Sequence, residues 1–115
     1  MLKKKERLTR EDFNRFFSMG RRTHSPALQV IFSSHTQLHV SVVVSKKIAK
    51  RAVKRNRIRR RIYDIVRNYS REREMQGVFI FLVKQPILEM EYGEIRNQVR
   101  THMDEIVRKY VSNTK

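Results

Sequence analysis

Apolar positions recur along the chain in two rhythms, one helical and one of strand type. Phe13, Phe16 and Phe17 fall at i, i+3 and i+4, which places them on one face of a helix. Thr9 stands at the N-cap position, Asp12 three residues on is placed to return the capping bond, and Leu8 is placed to staple against Phe13. A first helix is predicted there, with Gly20 expected to end it in a left-handed conformation. After Pro26, Leu28, Val30 and Phe32 share one face of an alternating segment, and Gln37 to Ser45 is rich in valine. Both segments read as strands, and the short link at His35-Thr36 predicts an antiparallel hairpin between them.

From Ala52 to Tyr69 the residues Ile58, Ile62, Ile65, Val66 and Tyr69 return at ~100° per residue, the stripe of a second helix. Gly77 precedes Val78-Phe79-Ile80-Phe81-Leu82-Val83, an apolar run of strand length that should be buried on both faces and stops at Lys84-Gln85-Pro86. A last helix from Tyr92 to Tyr110 turns Ile95, Val99, Met103, Ile106 and Tyr110 inward, with Glu89, Glu91 and Glu94 near its positive end. No repeat, linker or low-complexity segment interrupts the pattern. Residues 1–115 therefore read as a single α+β domain: a small, mainly antiparallel sheet with the second helix packed on it, the first at its edge and the last completing the core.

Charge changes the picture most. Lys and Arg number 27 against 11 acidic residues, a formal net charge of +16, while a hydrophobic content of 39% is that of a folded domain and not of a basic tail. Cysteine is absent, so disulfides and thiolate metal sites are excluded. No apolar run reaches the ~20 residues of a membrane span, and Lys3-Lys4-Lys5 leads into charged sequence, so a cytoplasmic protein is expected.

Between Asp12 and Asp64 the chain carries no acidic residue. Lys46, Lys47, Lys50, Arg51, Lys54 and Arg55 crowd the start of the second helix, where unpaired amides and the macrodipole are already positive. Acids stabilise such a position. Cations there repel one another, and a phosphate relieves them. The helical wheel puts Asn56, Arg59, Arg60, Tyr63 and Arg67 opposite the isoleucine stripe, facing solvent or ligand, while Arg55 points close to the direction of Ile58 and Ile62, toward a cleft at the sheet edge. Guanidinium forks beside amide and phenol groups suit structured RNA.

Other chemistry is thinly represented. No Ser/His/Asp set, Gly-rich phosphate loop or carboxylate cluster for magnesium is present, so a self-sufficient nuclease is not expected. His35 and His39, on a hairpin, lack the convergence that zinc requires, and His24 and His102 are isolated. By spacing alone, Phe13, Phe16 and Phe17 are open to two readings, core anchors or stacking platforms for unpaired bases.

The string Ala52-Val53-Lys54-Arg55-Asn56-Arg57-Ile58-Arg59-Arg60, preceded by Val44-Ser45-Lys46-Lys47 at a strand end, closely resembles the signature of the bacterial ribonuclease P protein subunit. The segment Glu11-Asp12-Phe13 to Phe17 and Gly20 is similar to that family's first helix, and Phe79 to Pro86 to its last strand. The resemblance implies an αββαβα order with a left-handed βαβ crossover, the ribosomal protein S5 domain 2-like class. It implies a protein that binds a catalytic RNA and the 5′ leader of precursor tRNA, so that the leader is removed endonucleolytically by RNA-bound Mg2+, with no catalytic residue, metal or cofactor on the protein. No membrane and no obligate protein partner are implied. The catalytic RNA would lie on Lys46, Lys47, Lys50, Arg51, Lys54, Arg55, Asn56, Arg57, Arg59 and Arg60. The leader would lie along Phe13, Phe17, Ile31, Ser45, Arg55, Asn56 and Arg59, leaving Phe16 inward. The chain departs from the family pattern at Ile31, where an aromatic is common, at Ala49, where glycine is common, and at Tyr63-Asp64, where a basic and an acidic residue are common. A structural RNA-binding protein of the ribosomal type shares the same charge and size and is the alternative.

Overall fold

A computed structural model describes residues 9–73 and 75–111, without the side chains of Tyr110 and Val111. The expectations for Leu8 and for the Tyr110 side chain lie outside the described residues. Helix α1 (Arg10–Met19) leads into strands β1 (Arg21–His24), β2 (Leu28–Ser33) and β3 (Leu38–Val43). Helix α2 (Ala52–Arg71) returns the chain to β4 (Gly77–Val83), and a short 3-10 helix (Gln85–Glu89) precedes α3 (Tyr92–Ile106), which ends in a π-helical turn, Val107–Val111.

The four strands lie in the order β1-β2-β4-β3. β4 runs antiparallel to β2, with Val30 opposite Phe81, and parallel to β3, with Val40 opposite Phe79. The expected β2–β3 hairpin is therefore wrong: β4 lies between these strands. The reason is the composition of β4, apolar at every position from Val78 to Val83 and buried at all of them except half-buried Leu82. Such a strand needs neighbours on both edges and cover on both faces, and the centre of the sheet supplies them. Strand β1 was not foreseen either. Arg21-Arg22-Thr23-His24 carries no hydrophobic alternation, and only Thr23 is buried. It becomes a strand by pairing with β2 through a tight turn in which Ser25 N–H donates to the Leu28 carbonyl at 2.9 Å.

Each face of the sheet has its own cover. Val30, Phe32, Val40, Val42, Phe79 and Phe81 meet Ile58, Ile62, Ile65, Val66 and Tyr69 of α2 and Ile95, Val99, Met103 and Ile106 of α3 in the main core. On the other face Ile31, Val78 and Ile80 form a smaller cluster beneath Phe13, Phe16 and Phe17 of α1. Glu91 caps α3 and forms a reciprocal box with Glu94, whose side chain accepts the Glu91 N–H at 2.9 Å.

Thr9 caps α1 as expected, its hydroxyl accepting the Asp12 N–H at 3.2 Å, while the Asp12 carboxylate accepts from Arg15 at 3.4 Å. Gly20 does not adopt the left-handed conformation. Its backbone is extended (φ −73°, ψ 160°), and its small size answers a different need, because a Cβ there would stand 2.3 Å from Ile31 Cγ2. Glycine lets the end of α1 descend onto β2.

A buried polar node ties α3 to the β1–β2 turn. His102 Nδ1 lies 2.6 Å from the Thr23 hydroxyl and its Nε2 3.0 Å from the Ser25 hydroxyl. Burial pushes its pKa below the ordinary histidine value. On the opposite side of α3, Tyr69 donates to Asp104 at 2.5 Å, and burial, aided by that bond, pushes its phenol up to about 12.

Candidate nucleic-acid interface

Helix α2 starts without any of the usual devices. Arg51 occupies the N-cap with no side-chain capping bond, and no acid stands in the first turn. The free amides and the positive end of the dipole thus open onto solvent among cations. Lys46, Lys47, Lys50, Arg51, Lys54, Asn56, Arg57 and Arg60 are all exposed, and Arg59 is half-exposed. Arg59 donates to the Asn56 amide oxygen, so the two side chains are held as a unit one turn apart.

Arg55 has a different setting. Its Nη1 donates to the Ala49 carbonyl at 2.9 Å and to the Lys50 carbonyl at 2.7 Å. The guanidinium therefore closes the loop that carries Lys46, Lys47 and Lys50 back onto α2. Ser45 closes the other end of that loop, its carbonyl accepting the N–H groups of Ile48 and Ala49, each at 3.1 Å. Ala49 itself is buried at 6% exposure.

Tyr63 does not face solvent or ligand as the wheel suggested. It is 9% exposed, and its hydroxyl accepts the N–H of Val42 at 3.2 Å. β3 is an edge strand, and an aromatic long enough to cross from α2 satisfies an amide that the sheet does not use. Arg67 remains on the exposed side.

The α1 face supplies a second kind of surface. Phe13 and Phe17 are half-buried and tilt against each other with centroids 5.6 Å apart. Phe16 is also half-buried, meeting His35 edge-on at 5.9 Å, and His35 in turn meets His39 at 4.8 Å. Ile31, 1% exposed, lies beneath α1. It is the floor of this packing and not an accessible contact, which corrects its assignment to the leader groove. In register across β4 and β3, Ile80 sits opposite Ser41 and Leu82 opposite Val43. Leu82, Ser41 and Val43 are half-buried, and β3 runs from them to exposed Ser45 and the lysine loop. The aromatic face and the basic helix start are thus joined through one strand end.

Residues outside the sequence expectations also contribute. Arg22, on unforeseen β1, donates to the Phe17 carbonyl at 2.8 Å and lays its guanidinium 4.9 Å from the Phe17 ring centroid. Val53, 68% exposed, places a bare apolar side chain among the cations of α2. Hydrophobic periodicity contains no sign of either arrangement.

The surface can neutralise phosphates, form bidentate bonds to them, and stack or pack against sugars and bases. Among the described residues no group of three His, Asp or Glu side chains converges. No described helix is long and apolar enough to cross a membrane.

A family model described as Ribonuclease P matches residues 2–107. The ribonuclease P protein component of a Marinomonas species is 33% identical over 79 residues, covering 68% of this chain and 58% of the relative. That of Bacillus cereus is 29% identical over 102 residues, covering 85% of this chain and 88% of the relative. The chain spans only about three fifths of the length of the Marinomonas relative and of a Pseudanabaena one, 58% and 61%. In fold it is similar to the RNase P protein of Thermotoga maritima, with a TM-score of 0.73 at 20% identity over 88% of this chain and 97% of that one. The Staphylococcus aureus RNase P protein gives 0.68 at 21% identity over 89% and 94%.

Proposed function

This chain belongs to the ribonuclease P protein family, and from that premise we propose that it is the protein subunit of a ribonucleoprotein endoribonuclease that removes the 5′ leader of precursor tRNA. The start of α2 binds the catalytic RNA: Lys46, Lys47, Lys50, Arg51, Lys54, Arg57, Arg59 and Arg60 neutralise its phosphates, and Asn56, held by Arg59, offers amide contacts to sugar or base. Arg55 contributes chiefly by holding the lysine loop in place.

The leader lies along the face shared by Phe13, Phe17 and the end of β3 near Ser45, where rings stack on unpaired bases. The protein acts by positioning substrate, favouring precursor over mature tRNA. The Mg2+ that supports cleavage belongs to the RNA, and the protein adds no catalytic group. Cytoplasmic location follows from the partners.

The observation that carries this reading is an uncapped, acid-free helix start continuous with an aromatic sheet face. Its test is cleavage of a precursor tRNA by a bacterial ribonuclease P RNA at low magnesium, with and without the protein, and with the protein alone. Stimulation that requires both components is expected. Tight, salt-sensitive RNA binding without stimulation would indicate a structural RNA-binding protein, and cleavage by protein alone would overturn the mechanism.

A further inference from the structure

Helix α2 carries a further line of polar and basic side chains that runs to its C-terminal end. At ~100° per residue, Arg61, Asn68 and Arg71 follow a line on the α3 side of the helix, while Asn56 and Arg59 lie toward β3 and Arg60 points to solvent between the two. Tyr63, reaching β3 through Val42, marks the one side. A groove between α2 and α3 marks the other.

That groove encloses about 340 Å³ and is lined by Asn68, Arg71, Tyr92, Arg96 and Arg100, with Ile65 among the lining residues. Tyr92 is 40% exposed, one of the few large apolar side chains left open to solvent among the described residues. Arg100 lies 5.3 Å from the Tyr69 ring centroid, which anchors its guanidinium beside the groove. Glu72 also lines the groove, but its carboxylate is already bonded to Arg73 at 3.0 Å. Asp64, one turn before Asn68, is likewise engaged. The cations are therefore in excess. The lining combines guanidinium forks, a side-chain amide and a half-open phenol, groups suited to a phosphate with its sugar and base.

We infer that the α2–α3 groove is a second RNA-binding site, gripping a separate segment of the catalytic RNA's sugar–phosphate backbone through Arg71, Arg96 and Arg100, with Tyr92 against a sugar or base. Resting on the proposed function, it adds a contact to it. Asn56 and Arg71 are fifteen residues apart on one helix, about 22 Å at ~1.5 Å per residue. The two sites thus engage RNA segments too far apart to be neighbouring nucleotides, and α2 acts as a rigid spacer between them.

The test is binding of the full chain to a bacterial ribonuclease P RNA transcript across a salt series, with hydroxyl-radical footprinting of the complex. The Arg71→Gln/Arg96→Gln variant changes two exposed side chains and is compared with Arg60→Gln and with Arg10→Gln/Lys109→Gln, which removes equal charge elsewhere. The groove variant is expected to bind at least tenfold more weakly than the charge-matched control. Its log K against log salt slope should fall by about 0.7–0.9 per lost contact. It should also lose a footprint distinct from the one lost in Arg60→Gln. Affinity equal to that of the control, or loss of the same footprint as Arg60→Gln, would overturn the inference while leaving the proposed function standing. Recovery of a groove footprint on precursor tRNA instead would overturn the assignment to catalytic RNA. Failure of the unmodified protein to bind the RNA at all would overturn both.

Discussion

Arg55 and Ala49 are joined by a 2.9 Å hydrogen bond from guanidinium to backbone carbonyl, reinforced by a 2.7 Å bond to the neighbouring Lys50 carbonyl. A residue that composition places in a basic patch therefore organises the loop that displays the patch. Arg55→Ala is expected to lower stability by about 1–2 kcal/mol, since a charged donor and two carbonyls lose their bonds. Arg60→Ala, fully on the surface, should change stability by less than about 0.5 kcal/mol. Both should weaken RNA binding. Denaturant unfolding beside RNA titration separates the two roles, and equal stability of the variants would refute the loop-closing role.

Phe17 stands between the core of the α1 face and the proposed leader path. Its ring packs on Phe13 and receives Arg22 at 4.9 Å. Phe17→Ala should keep the fold, because the main core is on the other face of the sheet. It should reduce the preference for precursor over mature tRNA by about 1–3 kcal/mol, the size of one lost base stack. Binding of the two tRNA forms to the reconstituted ribonucleoprotein measures this. An unfolded variant would instead assign Phe17 to structure alone.

Gly20→Ala should be strongly destabilising even though its backbone angles suit any residue. The added Cβ meets Ile31 Cγ2 at 2.3 Å and two carbonyl oxygens at 3.0 Å, so α1 must lift from the sheet. Overpacking of this kind costs about 1–3 kcal/mol. A thermal melt unchanged from that of the parent protein would contradict this reading.

Tyr63→Phe removes one buried acceptor and leaves the Val42 N–H at the sheet edge. A loss of about 1 kcal/mol is expected. Faster amide hydrogen exchange at Val42 in the variant, with other core amides less affected, would identify the bond as the cause.

Acid should weaken the protein through His102. Burial depresses its folded pKa below the usual ~6.5, and the nearby His24 and Lys84 act in the same direction while Glu105 opposes them. The unfolded chain then binds this proton more readily. The contribution is complete above the unfolded pKa and is lost as pH falls through the interval down to the folded pKa. Tm should drop as pH falls below the ordinary histidine pKa of ~6.5, and His102→Gln should show a shallower drop. Parallel pH profiles for the two proteins would exclude His102 as the source.

Much of this molecule is determined locally. The helical periods of α1, α2 and α3 and the double-sided apolar run of β4 appear in the sequence because burial must repeat with the period of the element. The acid-free basic stretch is equally visible there, since charge imbalance needs no coordinates to be recognised. The pairing of strands was not visible. β4 separates β2 from β3 because a strand apolar on both faces takes the centre of the sheet, a competition settled among distant segments. β1 exists only because β2 offers it an edge. Individual side chains were decided in the same way: Tyr63 turned to β3, Arg55 to its own loop, and Ile31 disappeared beneath α1. Periodicity specifies which side of an element a residue occupies. What stands against that side, and hence whether a residue binds RNA or holds the fold, is fixed only when the elements pack.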